Sequence, residues 1–250
     1  MKRWMIIALA LAPVILPAGM LQASDQARTF IAGIEAYHAG DWSAAIEAFE
    51  AIATQPINNG QLHYNLGNAY LKNGDLGRAV LWYERALERI PGDPDLRFNY
   101  DYALTLTKDE RGIKTSPLLR ILLFWKYQLS DASIRWIAVA LNAALWITLT
   151  VLTARSKRRL RPSTVVIAAG VVIFTATAVY DYWEATRVQY AVILPQKVAV
   201  RSGFNDTATQ LFVLHAGTKV RVARESDTHL LVRYTTDKIG WIKRSDAGMI

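Results

Sequence analysis

The chain has 250 residues, of which 52% are hydrophobic, 20% are charged and none is cysteine. A chain without cysteine has no disulfides, no thiolate nucleophile and no zinc ribbon. The formal net charge is +8 at pH 7, but residues 24 to 117 hold thirteen acidic against nine basic residues. The positive charge is therefore not one surface, and the overall charge does not indicate nucleic acid as a partner.

The first 23 residues have the pattern of a secretory signal peptide. Lys2 and Arg3 precede an apolar stretch from Met5 to Leu16, and small residues before Ser24 form a cleavage site at Leu21-Gln22-Ala23. Because the site begins with leucine rather than alanine, an uncleaved membrane anchor is the alternative. In both cases we expect the following segment to be exported.

Residues 26 to 110 contain a repeat with a period of 34 residues. Gly40-Asp41 in "AGDWSAAIEAFEAI" precedes Gly74-Asp75 in "NGDLGRAVLWYERA" by that distance. A helix-turn-helix unit of this length is typical of tetratricopeptide repeats, and "HYNLGNAY" with its following helix resembles that family closely. We predict units over 26–59 and 60–93 and a capping helix over 94–107.

The resemblance to tetratricopeptide repeats implies a concave protein-binding surface lined by the first helix of each unit. In that family, the equivalents of Asn65, Asn68 and Asn99 often hydrogen-bond the backbone of an extended peptide ligand. Tyr64 is expected beside them. The alternative is that these asparagines simply occupy exposed helix surface.

Residues 117 to 130 predict an amphipathic helix on the membrane surface. Their apolar stretch is interrupted by Arg120 and Lys126 and is too short to cross a bilayer. Aromatic residues beside cationic groups are typical of a helix that lies in the interface. The alternative is a buried core helix of the repeat domain.

Two runs without charge, 136–154 and 162–180, predict transmembrane helices over 134–154 and 162–182, since each run approaches the ~20 residues that span a bilayer. The residues between them form a basic turn, and the bias of Lys and Arg toward cytoplasmic loops places it inside. Both flanking regions would then face the periplasmic side of the bacterial inner membrane. The alternative is a pair of buried helices in a soluble protein. The basic residues of the turn, 155–161, are Arg155, Lys157, Arg158, Arg159 and Arg161.

Residues 189 to 250 predict a small all-β barrel of about five strands. Short segments rich in Val and Ile are divided by Gly, Asn, Asp and Thr, and several alternate apolar with polar residues. The segments "VAVRSG", "HAGTKVRV" and "GWI" resemble the bacterial Src-homology-3-type domain. Phe204, Tyr234 and Trp241 are candidates for an aromatic peptide-binding groove, with Trp241 as core filler as the alternative.

No catalytic arrangement is recognisable in the sequence. The four histidines show no metal-ligand spacing, and no serine lies in a nucleophile elbow. The sequence therefore predicts a protein that is not an enzyme and needs no cofactor or metal.

The order of the parts predicts a multidomain membrane protein with all-α repeats, a two-helix hairpin and a C-terminal β domain. Over the whole chain this order resembles the BatE-like repeat proteins of the bacterial aerotolerance (Bat) operons. The resemblance implies a scaffold that works with von Willebrand factor A-type Bat membrane proteins, a BatD-like protein and a MoxR-type AAA ATPase. A second hypothesis is an envelope-anchoring module whose barrel binds peptidoglycan peptides.

Overall fold

The computed structural model describes residues 18–54, 59–110, 121, 123–154, 162–205 and 207–250. The helices are α1 (Ala18–His38), α2 (Trp42–Ala53), α3 (Gly60–Lys72), α4 (Leu76–Leu87), α5 (Pro94–Thr105), α6 (Phe124–Gln128), α7 (Asp131–Ala154) and α8 (Pro162–Arg187). The strands are β1 (Gln189–Ile193), β2 (Lys197–Arg201), β3 (Gln210–His215), β4 (Lys219–Glu225), β5 (His229–Arg233), β6 (Ile239–Lys243) and β7 (Ala247–Met249).

Helices α1 to α4 form two helix-turn-helix units, as the 34-residue period predicted. Each turn is a Gly-Asp pair: Gly40 and Gly74 have positive φ angles of 80° and 81°, a conformation that favours glycine and ends the preceding helix. The carboxylates of Asp41 and Asp75 accept the backbone N–H three residues further on and so cap α2 and α4. The repeated dipeptide thus both ends and starts a helix.

Each unit contains the same packing contact, in which a glycine of its first helix lies against an aromatic ring of its second helix. A Cβ atom at Gly67 would lie 2.5 Å from the Tyr83 ring, and one at Gly33 would lie 2.5 Å from the Phe49 ring. Both rings are fully buried. Both partners of the contact in the first unit recur 34 residues later in the second unit. The two units therefore pack in the same way.

Helices α7 and α8 lie side by side as a hairpin. Each is long and apolar enough to cross a membrane, and only 6% of its most apolar window is buried within the protein. A core helix of a soluble protein would be mostly buried, so this exposure favours a membrane hairpin over the alternative. The predicted basic turn and most of the predicted signal peptide lie outside the described residues. Helix α1 runs through the predicted cleavage position between Ala23 and Ser24.

The described part of the predicted amphipathic segment packs against α8. The Trp125 indole N–H donates to Thr177 Oγ1 at 3.3 Å, and Lys126 Nζ lies 2.7 Å from Asp181 Oδ1 and 2.9 Å from Glu184 Oε2. Within residues 117–130, the described helical residues are Ile121 and those of α6. The contacts of α6 place it beside the C-terminal part of α8.

The C-terminal region is an open antiparallel sheet with the strand order β3-β2-β6-β5-β4-β1-β7. The prediction of a barrel of about five strands was wrong in two respects. The sheet has seven strands, and within the described residues no pairing joins the edge strands β3 and β7. An edge strand that is covered by another element does not need to pair with a further strand. Strands β1 and β7 pack on α4, and this helix covers the edge of the sheet.

The helical region and the sheet meet closely because small residues line their contact. Gly77 of α4 lies against the backbone of Leu194, and Gly248 of β7 lies against the Leu81 side chain. In both places a Cβ atom would overlap its neighbour. Leu81 is buried by this contact, so the sheet forms part of the core around α4.

Polar contacts surround this apolar interface. Lys219 Nζ lies 2.8 Å from Glu84 Oε2, and Arg85 Nη2 donates to the Met249 carbonyl at 2.6 Å. Glu84 is buried and needs such a partner, since an unpaired carboxylate in the interior is costly. The helical region and the sheet therefore pack as one unit.

Asp109 fastens the chain beyond α5 to the turn between β3 and β4. Its carboxylate accepts from the His215 backbone N–H at 2.7 Å and from Thr218 Oγ1 at 2.6 Å, and His215 Nδ1 lies 2.9 Å away. Burial alone would raise the pKa of Asp109, but the hydrogen bonds from Thr218 and His215 and the charge of His215 lower it below its usual value.

We expect Gly67→Leu to destabilise the full chain by about 1–3 kcal/mol or more, because the added side chain must displace the buried Tyr83 ring. Urea unfolding of the full chain in detergent micelles, followed by helical circular dichroism, measures the loss. Lys72→Leu is the matched control, since it adds similar apolar bulk at an exposed position of α3. Equal stability of both variants would contradict the proposed packing.

We expect Asp109→Ala to cost about 1–3 kcal/mol at neutral pH, because it leaves the His215 N–H and the Thr218 hydroxyl without their acceptor. Folding lowers the pKa of Asp109. Its contribution is therefore fully present above its unfolded pKa of ~3.9 and is lost as the pH falls through its lower folded pKa. The difference in unfolding midpoint between variant and wild type should therefore shrink as the pH is lowered from about 7 through that range. Asp237→Ala, at an exposed residue of the sheet, is the control, and a difference that is constant with pH would refute the assignment.

Candidate functional site

Three of the four predicted groove residues meet between α3 and α5. Asn99 Nδ2 donates to the Tyr64 hydroxyl at 3.0 Å and to Asn68 Oδ1 at 2.9 Å. The Tyr83 hydroxyl donates to the same Asn68 oxygen at 2.7 Å. The first helices of successive units are thus joined by a network of side-chain hydrogen bonds, named here the asparagine network (Tyr64, Asn68, Tyr83 and Asn99).

Tyr83 fixes the orientation of the Asn68 carboxamide. Burial and the neighbouring tyrosines Tyr64 and Tyr37 raise the pKa of Tyr83 above its usual value, so its hydroxyl stays protonated and donates. Asn68 must then present its oxygen to Tyr83 and Asn99, which turns its N–H group away from them. Within the described residues that N–H group forms no hydrogen bond, so it remains available to a ligand carbonyl.

Asn65 is the fourth predicted groove residue, and it differs from the other three. It is half-buried, and its side chain forms no hydrogen bond in the described part of the chain. On α5, Phe98 and Tyr102 are 74% and 53% exposed. The surface carried by α3 and α5 therefore combines a polar network, a free carboxamide and exposed aromatic side chains, as protein-binding surfaces often do.

Sequence reasoning missed the part that Tyr83 plays in this surface. Tyr83 was not among the predicted groove residues, and its ring packs on Gly67. Its hydroxyl, however, also reaches Asn68. The signal was available: a buried tyrosine usually finds a hydrogen-bond partner, and in α3 an asparagine directly follows the glycine that contacts its ring.

On the sheet, the structure brings Phe204 and Trp241 together but leaves Tyr234 elsewhere. The Phe204 and Trp241 rings are 4.2 Å apart between centroids, and Phe204 is 51% exposed. The His229 ring lies nearly perpendicular to the Phe204 ring, with 5.5 Å between the ring centroids. This histidine was not among the predicted groove residues. Tyr234 is buried, and its hydroxyl donates to the Glu110 carbonyl, so it helps to join the sheet to the helical region.

A shallow cavity of about 620 Å³ lies beside this aromatic pair, and His229 forms part of its wall. Its other lining residues are Asp227, Thr228, Lys243, Arg244 and Ser245. These residues carry acidic, basic and hydroxyl groups beside their apolar side-chain atoms. Such a lining suits a ligand that combines an apolar part with polar groups.

The five basic residues predicted to set the topology, Arg155, Lys157, Arg158, Arg159 and Arg161, lie outside the described residues. The described ends of α7 and α8 adjoin them on both sides.

Comparison with known proteins identifies the repeat. The tetratricopeptide repeat family matches residues 32–94. The photosystem I assembly protein Ycf3 of Synechococcus sp. (strain WH7803) is 32% identical over 65 residues, which are 25% of this chain and 38% of that protein. Ycf3 of Prochlorococcus marinus (strain MIT 9211) is 34% identical over 83 residues, 32% of this chain and 46% of the relative.

The family match lies in the helical region. The chain spans less than half the length of both curated relatives. Tetratricopeptide repeats are typically non-enzymatic modules for protein interaction. The chain therefore contains a tetratricopeptide repeat region, which carries the asparagine network and suggests a role in protein–protein interaction.

Proposed function

We propose that the protein is a membrane-anchored scaffold that binds partner proteins through the α3–α5 surface of its repeats. The observation that carries this proposal is that the sheet covers only one side of the repeat region. The sheet packs on α4, the second helix of its unit, whereas Phe98 and Tyr102 of α5 stay exposed. The open surface is the one that repeat proteins of this kind use for binding.

The contact between the helical region and the sheet supports one location for both. One region precedes the hairpin and the other follows it, and the two are in direct contact through Glu84 and Lys219. A bilayer cannot separate surfaces that touch, so both regions belong on the same side of the membrane. A hairpin with an internal basic turn would place them on the periplasmic side of the inner membrane.

At the level of partners, we propose that the scaffold belongs to a Bat-type assembly. The order of the parts supports this, as does the name of the matched relatives, which describes them as assembly proteins for photosystem I. The partners proposed are von Willebrand factor A-type Bat membrane proteins, a BatD-like protein and a MoxR-type AAA ATPase. Exposed aromatic and carboxamide groups suit an extended segment of such a protein.

A second candidate function rests on the pair formed by the exposed Phe204 and the half-buried Trp241. An aromatic pair beside a cavity lined by both acidic and basic groups suits a short peptide with free charges. Peptidoglycan stem peptides are of this kind. In this reading the sheet anchors the protein to the envelope, and the repeats bind something else.

The proposed topology is tested with reporters that are active only outside the cytoplasm. A reporter fused after Ile250 should be active, whereas one inserted among residues 156–160 should be silent, because basic residues hold the turn inside. Replacing the five basic residues of the turn by Gln should weaken this difference. An active reporter in the wild-type turn would contradict the orientation and, with it, the periplasmic location.

The proposed binding surface is tested by crosslinking in native membranes and identification of the captured proteins. Asn65→Ala combined with Phe98→Ala should reduce capture of at least one partner about tenfold or more, because few side chains carry most of the binding energy. Both side chains lack internal hydrogen bonds, so the free energy of unfolding should change by only about 0.5 kcal/mol. Asn68 is unsuitable for this test, since its removal would leave the buried Tyr83 hydroxyl without an acceptor.

Two further variants separate the candidate functions. Ser43→Ala, at an exposed position of α2, is the matched control and should capture every partner normally. Phe204→Ala should leave protein capture unchanged but reduce retention on purified peptidoglycan if the second function holds. Normal capture by the double variant together with lost capture by Phe204→Ala would move the protein-binding site to the sheet.

A further inference from the structure

The middle of helix α7 carries one polar side chain that the hairpin does not cover. Asn142 is the twelfth of the 24 residues of α7, so it lies near the centre of a membrane-spanning helix. It is exposed, and its carboxamide forms no hydrogen bond within the described residues. With no water in the hydrocarbon core, such a group is costly to leave without a partner.

Threonine residues of the same hairpin show how a polar group is normally satisfied there. Thr148, Thr150 and Thr177 donate to carbonyl groups four residues earlier in their own helices, at 2.7, 2.9 and 2.9 Å. A carboxamide has two N–H donors and an acceptor oxygen, and one backbone carbonyl cannot satisfy them all. Asparagine side chains in spanning helices hydrogen-bond across helix–helix interfaces. The exposure of Asn142 is therefore best explained by a helix outside this hairpin that packs on α7.

The exposed residues around Asn142 form a seam suited to helix pairing. Leu141 faces α8, where its side chain contacts Gly170, and the next residue turns outward. Positions spaced alternately by four and three residues form the stripe of a left-handed helix pair, and a buried asparagine in such a stripe fixes its register. The stripe contains Arg135, Val139, Asn142, Trp146, Leu149 and Thr153.

We propose that the helix covering this seam is α7 of a second copy of the chain, so that the protein is a dimer within the membrane. Copies with the same topology cross the bilayer in parallel, which brings Asn142 to the same depth in both. Each carboxamide can then donate an N–H to the oxygen of the other, because a two-fold interface pairs a group with itself. A different protein would need its own polar side chain at this depth. The proposal rests on the proposed membrane insertion of the hairpin.

The absence of cysteine makes this interface directly testable in the full chain. Val139→Cys places a thiol on the seam, and Ile147→Cys is the matched control; the native side chains are 58% and 65% exposed. Ile147 lies five residues beyond Asn142, about 140° away around the helix. In phosphatidylethanolamine–phosphatidylglycerol vesicles treated with copper phenanthroline, Val139→Cys should yield a disulfide-linked dimer, and Ile147→Cys should not.

Substitution of Asn142 tests the hydrogen bond itself. In the Val139→Cys background, Asn142→Leu should weaken dimerisation roughly 3- to 30-fold, measured by dilution of the protein with lipid. Asn142→Gln keeps both donor and acceptor and should retain most of the dimer. Equal crosslinking at the two cysteine positions, or an unchanged dimer with Asn142→Leu, would overturn the proposal, and so would capture of a protein of different mass.

Extraction with alkaline carbonate distinguishes failure of this inference from failure of the proposed function. Wild-type protein that leaves the membrane under carbonate would refute membrane insertion, and the dimer with it. Protein that stays in the membrane but shows no preferential crosslinking at Val139→Cys would refute only the dimer, and the scaffold function would stand.

Discussion

The packing of the sheet on helix α4 is the contact on which the rest of the architecture depends. Gly77 and Gly248 lack a side chain and so let the helix and the sheet approach closely. At the edge of this contact, the ion pair with Lys219 compensates the burial of the Glu84 carboxylate. This contact joins regions that lie on either side of the hairpin in the sequence. It therefore holds both ends of the hairpin together and leaves the α3–α5 surface as the open face of the repeats.

The connection between hairpin and sheet adds a second constraint. Only Val188 separates the end of α8 from the start of β1, and its N–H still donates to the Glu184 carbonyl at 2.8 Å as if the helix continued. Glu184 and Asp181 also bind Lys126 of α6. A connection this short leaves the sheet little freedom to move away from the end of the hairpin. Such a restraint suits the proposed scaffold, because it would hold the proposed binding surface at a defined distance from the membrane.

The elements with strong local signals were predictable from the sequence. The Gly-Asp turns made the repeats predictable, because a positive φ angle favours glycine and a helix N-cap favours aspartate. The two helices that are long and apolar enough to cross a membrane were predictable because long runs without charge are a strong signal. The open sheet was not predictable, since the alternation of strand residues does not reveal whether an edge pairs with another strand or is covered by a helix. Tyr234 illustrates the same limit, because its partner Glu110 lies in a different region of the chain.

A chain of one aromatic contact and two polar contacts leads from the asparagine network toward the sheet. Tyr83 and Tyr100 meet edge to face at 6.5 Å, and the Tyr100 hydroxyl donates to Glu84 Oε1 at 2.5 Å, while the other Glu84 oxygen binds Lys219. Each of these groups satisfies another that is partly or wholly buried. A partner that rearranged Asn68 or Asn99 would therefore disturb groups on which the α4–sheet contact depends. The proposed binding surface is built on a rigid support, which favours binding without a large change in shape.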